Sequence, residues 1–358
     1  MHESDNPAHG SERISVCHLI SGDLWAGAEV QVVGLLKALA RRSGLQLSAV
    51  VLNPGRLVDE LGTAGIEVKV IPESRTDFFG VAAEAREFLL RVRPHILHSH
   101  RYKENTLAAW LARSGLVPLR VRTQHGFPEP FVGLRGFRHG LVQAFDRLTA
   151  RHATDCVIAV TEELRTRLVQ NLPADRVVTI HNGIEVNQFQ PRFSRERARE
   201  RLGLPVGCWT LGTAGRLEPV KRLDLFLQAA RHLSQKVPQA RFLIAGEGSA
   251  MGDLREMSQT LGLQDRVQFL GHRDDMPDVL QCMDILVLSS DHEGLPMILL
   301  EALCLRVNVV ARSVGGIPEA MTDGVHGVLV DSADPVVLAE KCLQLRADPI
   351  RRKRMAQE

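Results

Sequence analysis

The sequence lacks a charge excess of either sign: 44 basic and 42 acidic residues leave a formal net charge of +2 over 358 residues. Such a balance gives no global case for nucleic-acid binding. It also lacks any apolar run near the roughly 18 residues of a membrane span. The first apolar run, Ile14–Ile20, is short and follows the polar tail MHESDNPAHGSER, which carries no secretory pattern. Six cysteines (Cys17, Cys156, Cys208, Cys282, Cys304, Cys342) are scattered without a CxxC pair. That spacing argues against a disulfide frame or a zinc site and for reduced, mostly buried thiols. Internal repeats, low-complexity tracts and a Walker A loop are missing as well.

What is present is a soluble, globular composition, 44% hydrophobic and 24% charged, on a chain too long for one ordinary core. Short β-branched runs alternate with helical patterns throughout. A first series comprises 14–21, 47–53, 67–72, 96–100, 120–125, 156–160 and 177–181, and a second 210–216, 242–246, 267–271, 285–290, 307–312 and 327–330. Near-continuous apolar strands between helices predict parallel sheets covered on both faces, and thirteen strands exceed one comfortable open sheet. The break falls where Gln-Phe-Gln-Pro meets the charge-dense RFSRERARERLGLP. The pattern therefore predicts an α/β protein of two doubly wound domains, 1–188 and 189–358, with a ligand cleft between them at the strand C-termini.

The stretch DHEGLPMILLEAL holds Glu293 after an apolar strand and Glu301 eight positions later. Pro296 suits the first turn of a helix, so Glu293 belongs to the loop and Glu301 lies between one and two turns into the helix. They are not one carboxylate pair sharing a proton. Gly294 admits close backbone approach, the first helical turn offers free N–H groups to an anion, and a carboxylate can accept from a sugar diol. The competing reading has Glu293 capping or salt-bridging locally and Glu301 paired with a buried arginine.

GTAGRLEPVKRLDLF places Gly215, Arg216 and Lys221 where a strand enters a turn. Two fixed cations there suit a diphosphate, and charge building on a departing nucleotide. A solvated basic helix start is the bland alternative for Lys221 and Arg222. Gly246 and Gly248 after the next strand fit a phosphate turn or a tight strand-to-helix turn equally, and Gly27 fits a phosphate contact or ordinary helix initiation. His98 and His100 share one strand face, but no third ligand is expected nearby, so no metal site is predicted. His125 sits at a strand end where it could reach a sugar or acceptor hydroxyl. Asp274 and Asp275 read as acids in a helix first turn. The segment 131–151 mixes Phe131, Phe137 and Phe145 with Arg135, Arg138, Arg147 and Arg151. It reads as an ordinary packed helix or as a contact with an anionic membrane.

In chain order these pieces resemble the retaining glycosyltransferases of family 4, which have the two-Rossmann GT-B fold. The resemblance rests on Gly27-Ala-Glu29, HSH at 98–100, HG at 125–126, HNGIEVNQF, GRLEPVKRLD, FLIAGEG, VQFLGHRDDMPDVL, EGLPMILLEAL and VGGIPEAMTDGVHGVLV. It implies that Glu293 contacts the donor sugar and Glu301 the ribose, and that Arg216 and Lys221 hold the diphosphate. It further implies that the backbone of Gly294, Leu295, Pro296 and Met297 meets sugar or phosphates, that Gly271, His272 and Arg273 lie beside the base, and that His125 reaches sugar or acceptor. No metal or other cofactor is implied beyond a UDP- or GDP-sugar co-substrate. A glycan or lipid-linked acceptor, a role in envelope or exopolysaccharide synthesis and a cytoplasmic or inner-membrane-peripheral location are expected with it. An epimerase or hydrolase of nucleotide sugars, or a non-catalytic nucleotide-sugar binder, remain the rival readings.

Departures from the family pattern are Ala26-Gly27 for Gly-Gly, and Arg306 where glycine usually ends the helix in a left-handed turn. Crossover helices that usually follow and brace the N-terminal domain are expected to be missing after RRKRMAQE.

Overall fold

The structure, a computed structural model, describes residues 13–22, 25–113, 115–126, 144 and 146–358. Within them, thirteen strands form two sheets, in the stretches where apolar runs predict them. The first sheet contains β1 (Ile14–Ser21), β2 (Leu45–Leu52), β3 (Glu67–Val70), β4 (Ile96–Ser99), β5 (Leu119–Gln124), β6 (Cys156–Ala159) and β7 (Val177–Thr179). Their order is β3-β2-β1-β4-β5-β6-β7. The second contains β8 (Thr210–Ala214), β9 (Arg241–Ala245), β10 (Val267–Gly271), β11 (Ile285–Leu288), β12 (Asn308–Arg312) and β13 (Val328–Val330), in the order β10-β9-β8-β11-β12-β13. The registers of β1 with β2 and β4, and of β8 with β9 and β11, are parallel. Each sheet thus reverses its winding once, at β1/β4 and at β8/β11. Both are Rossmann-like, and the carboxyl ends of strands at such a switch point form the crevice where ligands bind in this architecture.

Period-two alternation explains why both faces are covered. Cys17 and Leu19 of β1 pack toward the helices Phe78–Val92 and Tyr102–Ala112, while Val16 and Ile20 pack toward Gly27–Ala40 and Arg56–Thr63. In the second sheet Phe242 and Ile244 face one core and Leu243 and Ala245 the other. Each fully buried aliphatic side chain in these layers contributes about 1.5–3 kcal/mol. Cysteines 17, 208, 282 and 342 are buried and all six are free thiols.

Proximity of the chain divides the described residues into two units. One takes in those up to Gln124, those as far as Ile158, and Asn171–Val178; the other takes in His125 and Gly126, Ala159–Gln170 and Thr179–Glu358. Helix ends follow local chemistry. Asp77, Thr161, Ser194 and Asp334 each accept a hydrogen bond from a first-turn backbone N–H. Arg306 does adopt a left-handed conformation, with φ 58°, after the helix Met297–Cys304. That conformation costs a non-glycine residue about 1 kcal/mol.

Candidate functional site

At the switch point of the second sheet, β8 is followed by Gly215 and Arg216, and β11 runs into Ser289, Ser290 and Glu293. Gly215, Arg216, Lys221, Ser290 and Glu293 line one small cavity there. Gly246, following β9, holds a φ of 126° and donates its N–H to the Gly271 carbonyl at 2.7 Å. A side chain at Gly246 would run into the Gly215 carbonyl. Glycine is required here by backbone packing between the turns after β8 and β9, which is the tight-turn reading of that motif.

The two acids behave differently. Glu293 is buried, and both its oxygens accept from Lys221 Nζ at 2.7 Å; Ser290 Oγ donates to Oε1 at 2.6 Å. Lys221 is therefore no solvated helix start. Its turn, Pro219–Lys221, is zipped to the loop after β11: Ser289 Oγ donates to the Lys221 carbonyl at 3.0 Å and the Asp291 N–H to the Val220 carbonyl at 2.9 Å. Asp291 is held from two sides. Arg222 donates to it at 3.1 Å, and Arg312 pairs with it while also donating to the Ser290 carbonyl at 3.0 Å. Burial works to raise the Asp291 carboxyl, but Arg312 and Arg222 outweigh it and hold it below the ordinary range.

Glu301 sits on the fifth residue of its helix, and burial alone pushes its carboxyl up to about 7. Among the described residues no arginine or lysine pairs with it, so the structural alternative of a buried ion pair does not hold. Pro296 occupies the N-cap position in extended conformation, one residue earlier than a first-turn placement, with Leu295 and Met297 buried on either side. A side chain on Gly294 would run into the His125 carbonyl, so the segment just past β5 closes over the loop. His125 is itself half-buried.

Gly271 ends β10, and His272 and Arg273 follow it. Arg273 donates to Asp275 at 2.8 Å and His272 lies 3.4 Å from Asp274. The next helix begins at Met276 with Asp275 at its N-cap position, so the two aspartates stand at the helix N-terminus just ahead of the first turn, each in a local pair. Gly27 opens its helix in the first unit, where the Ala26 N–H donates to Glu29 Oε2 at 3.1 Å. Glu29 is buried and paired with Arg101; burial raises its carboxyl against that cation's pull.

The expectation that no third ligand stands near His98 and His100 is overturned. Parallel register sets His18 directly beside His98. His18 Nδ1 and His100 Nε2 share a hydrogen bond at 3.0 Å, and His98 Nε2 lies 2.8 Å from Thr123 Oγ1. The three potential ligand atoms fall within 4.8 Å of one another. The His98 and His100 rings stack at 4.3 Å with planes 27° apart, however. A metal must lie in the plane of each imidazole it binds, so this arrangement fits a neutral, mutually bonded cluster better than a poised metal cage. Burial lowers the His18 imidazole to about 3. The sequence carried no signal for His18, because its partner lies on a strand eighty residues away. Ser290, Asp291 and Arg312 were missed for the same reason. The basic stretch at 131–151 falls mostly outside the described residues, and no described helix is long and apolar enough to cross a membrane.

Comparison with known proteins adds family relationships to this geometry. Residues 25–188 match the model described as Glycosyltransferase Family 4, and residues 194–358 that described as Glycosyl transferases group 1. The chain is 30% identical over 377 residues to a D-inositol 3-phosphate glycosyltransferase of Xylanimonas cellulosilytica, covering 92% of this chain and 85% of that protein. It is 29% identical over 245 residues to the UDP-Gal:alpha-D-GlcNAc-diphosphoundecaprenol alpha-1,3-galactosyltransferase of Escherichia coli, covering 67% and 63%. The match to a D-inositol 3-phosphate glycosyltransferase of Streptomyces bingchenggensis covers 60% of that protein's length. Among solved structures, Anabaena Alr3699/HepE in complex with UDP and glucose shares the fold, with a TM-score of 0.83 at 20% identity over 96% of this chain and 93% of that one.

Proposed function

The chain belongs to the group 1 glycosyltransferases of family 4, and on that premise we propose that it moves a hexose-type sugar from a nucleotide diphosphate to a hydroxyl acceptor, with retention. One observation carries the reading. Glu301 is a buried carboxyl, raised to about 7, with no cationic partner among the described residues, on the helix beside the Lys221–Glu293 pair. Burial disfavours the charged form of such a group, and a ribose diol donating to it would offset that desolvation.

On this reading Arg216 and Lys221 stabilise the diphosphate as charge builds on it, and Glu293 orients the sugar through its remaining lone pairs. Glu293 already pairs with Lys221, so a diphosphate would share that ammonium with the carboxylate. The bond from the anomeric carbon to the diphosphate oxygen breaks as the acceptor oxygen bonds on the same face. The acceptor proton passes to the leaving phosphate, so no side-chain nucleophile is needed. His125 serves the sugar or acceptor side, and His272 and Arg273 the base. A uridine donor is supported by the UDP in the solved neighbour and the UDP-Gal of the E. coli relative's name. That name also supports a glycan or lipid-linked acceptor.

The test is release of nucleotide diphosphate from UDP- and GDP-sugars by Arg216→Ala and Glu301→Ala, with and without chelator. Loss of turnover by at least about 100-fold in Arg216→Ala is expected from removal of one charge-stabilising group, with chelator having no effect. Unchanged turnover in both variants sinks the reading.

A further inference from the structure

The opposite end of the second sheet, at the amino end of β8, holds a feature that the sugar-transfer reading does not use. Trp209 directly precedes β8, and around it opens a cavity of about 560 Å³ whose lining includes Arg195, Arg199, Arg346, Arg352 and Asp284. Four guanidiniums face one carboxylate. Two of the four are fixed in place. Arg195 donates to the carbonyls of Gln281 and Met283 at 2.7 and 3.1 Å and to Asp284 at 2.7 Å, and Arg199 to those of Cys282 and Cys208 at 2.7 and 2.6 Å. Arg346 lies over the Trp209 indole, 5.4 Å from its centroid.

The polar atoms left over here are all donors. Trp209, which is 6% exposed, has an indole N–H with no partner, and Arg352 Nε, also buried, has none. A buried orphan donor is costly and is normally matched by an acceptor. Two orphan donors within a lining of net positive charge select an anion that presents several acceptor oxygens. The run Arg351-Arg352-Lys353-Arg354 adds charge of the same sign alongside. The volume exceeds what a bare inorganic ion fills and lies within the range of small-molecule sites.

We infer that this cavity is a second anion site, built for a phosphate monoester group and separate from the nucleotide-sugar site. Trp209 and Gly215 stand at opposite ends of β8, about 20 Å apart along an extended strand. A phosphorylated solute and a phospholipid headgroup present the same chemistry, with the indole N–H and Arg352 meeting phosphate oxygens and Arg346 supplying charge over the ring. The inference is independent of the sugar-transfer reading, since it uses none of those residues.

Inorganic phosphate is titrated into the full chain by calorimetry at constant ionic strength, with and without saturating UDP. Vesicles of phosphatidylcholine with one-fifth phosphatidic acid are tested by co-sedimentation. Saturable phosphate binding, insensitive to UDP and weakened at least tenfold in the double variant Arg346→Ala/Arg352→Ala, is expected for a soluble ligand. Co-sedimentation of the parent but not the double variant, without binding of free phosphate, identifies a headgroup instead. Trp209→Phe keeps an aromatic ring beside Arg346 but removes the N–H together with part of the indole, so its melting temperature is measured alongside; it carries the test should the double variant fail to fold, and a several-fold weaker phosphate or vesicle affinity is expected. Absence of binding in both arms, equal binding by the variants, or competition with UDP overturns the inference.

Discussion

Removing the Lys221 ammonium tests the architecture of the site before any substrate is added. Glu293 has a side-chain exposure of 7% and Lys221 of 22%, and the ammonium sits 2.7 Å from both carboxylate oxygens. Lys221→Ala leaves a buried carboxylate with Ser290 Oγ as its remaining side-chain donor. Breaking one side of a fully buried pair costs about 3–5 kcal/mol. Water reaches the place vacated by the partly exposed lysine, which reduces the expected loss to about 2–3 kcal/mol. For a unit of this size that lowers the melting temperature by roughly 5–10 °C. Urea unfolding of Lys221→Ala, Glu293→Gln and the double variant measures it. The double variant removes both charges together and should recover at least about 1 kcal/mol relative to additivity. If Lys221→Ala stays within about 0.5 kcal/mol of the parent, the pair is not the structural tie described here.

Gly246→Ala forces a methyl into the Gly215 carbonyl at a φ of 126° and should destabilise the second unit by about 3 kcal/mol. Gly252→Ala, inside the helix Met251–Thr260 with open space around it, should instead stabilise by about 0.5–1 kcal/mol; equal urea midpoints for the two would contradict the packing argument. The His18 imidazole titrates near 3 when folded and 6.5 as a free side chain, so the unfolded chain takes up the proton first as pH falls. Stability is therefore full above pH 6.5 and declines as pH drops toward 3, by at most about 1.4 kcal/mol per pH unit. His18→Gln should flatten the difference in melting between pH 6.5 and 4.5, and an unchanged pH slope would refute the buried neutral cluster.

Local pattern was enough to read much of this protein. Apolar runs of strand length between amphipathic helices placed all thirteen strands, since side chains alternating every second residue and covered on both faces leave no other low-energy backbone. Pro296 alone separated Glu293 from Glu301, placing one in a loop and one on a helix. That Arg306 would turn left-handed came from the resemblance, whose pattern usually places glycine at that helix end, and not from the arginine itself. Partners remote in sequence were a different matter. That Glu293 would take Lys221, that Arg222 and Arg312 would clamp Asp291, and that His18 would stand beside His98 all depend on strand order and register. The cavity under Trp209 likewise joins residues 195–209 to 346–352. Strand order is fixed by which faces bury together across the whole sheet, an energy summed over distant segments. The sequence thus determined the two α/β layers and the residue types at the strand ends. Only the tertiary structure decided which charges neutralise one another, and left Glu301 as a buried acid that no described cation neutralises.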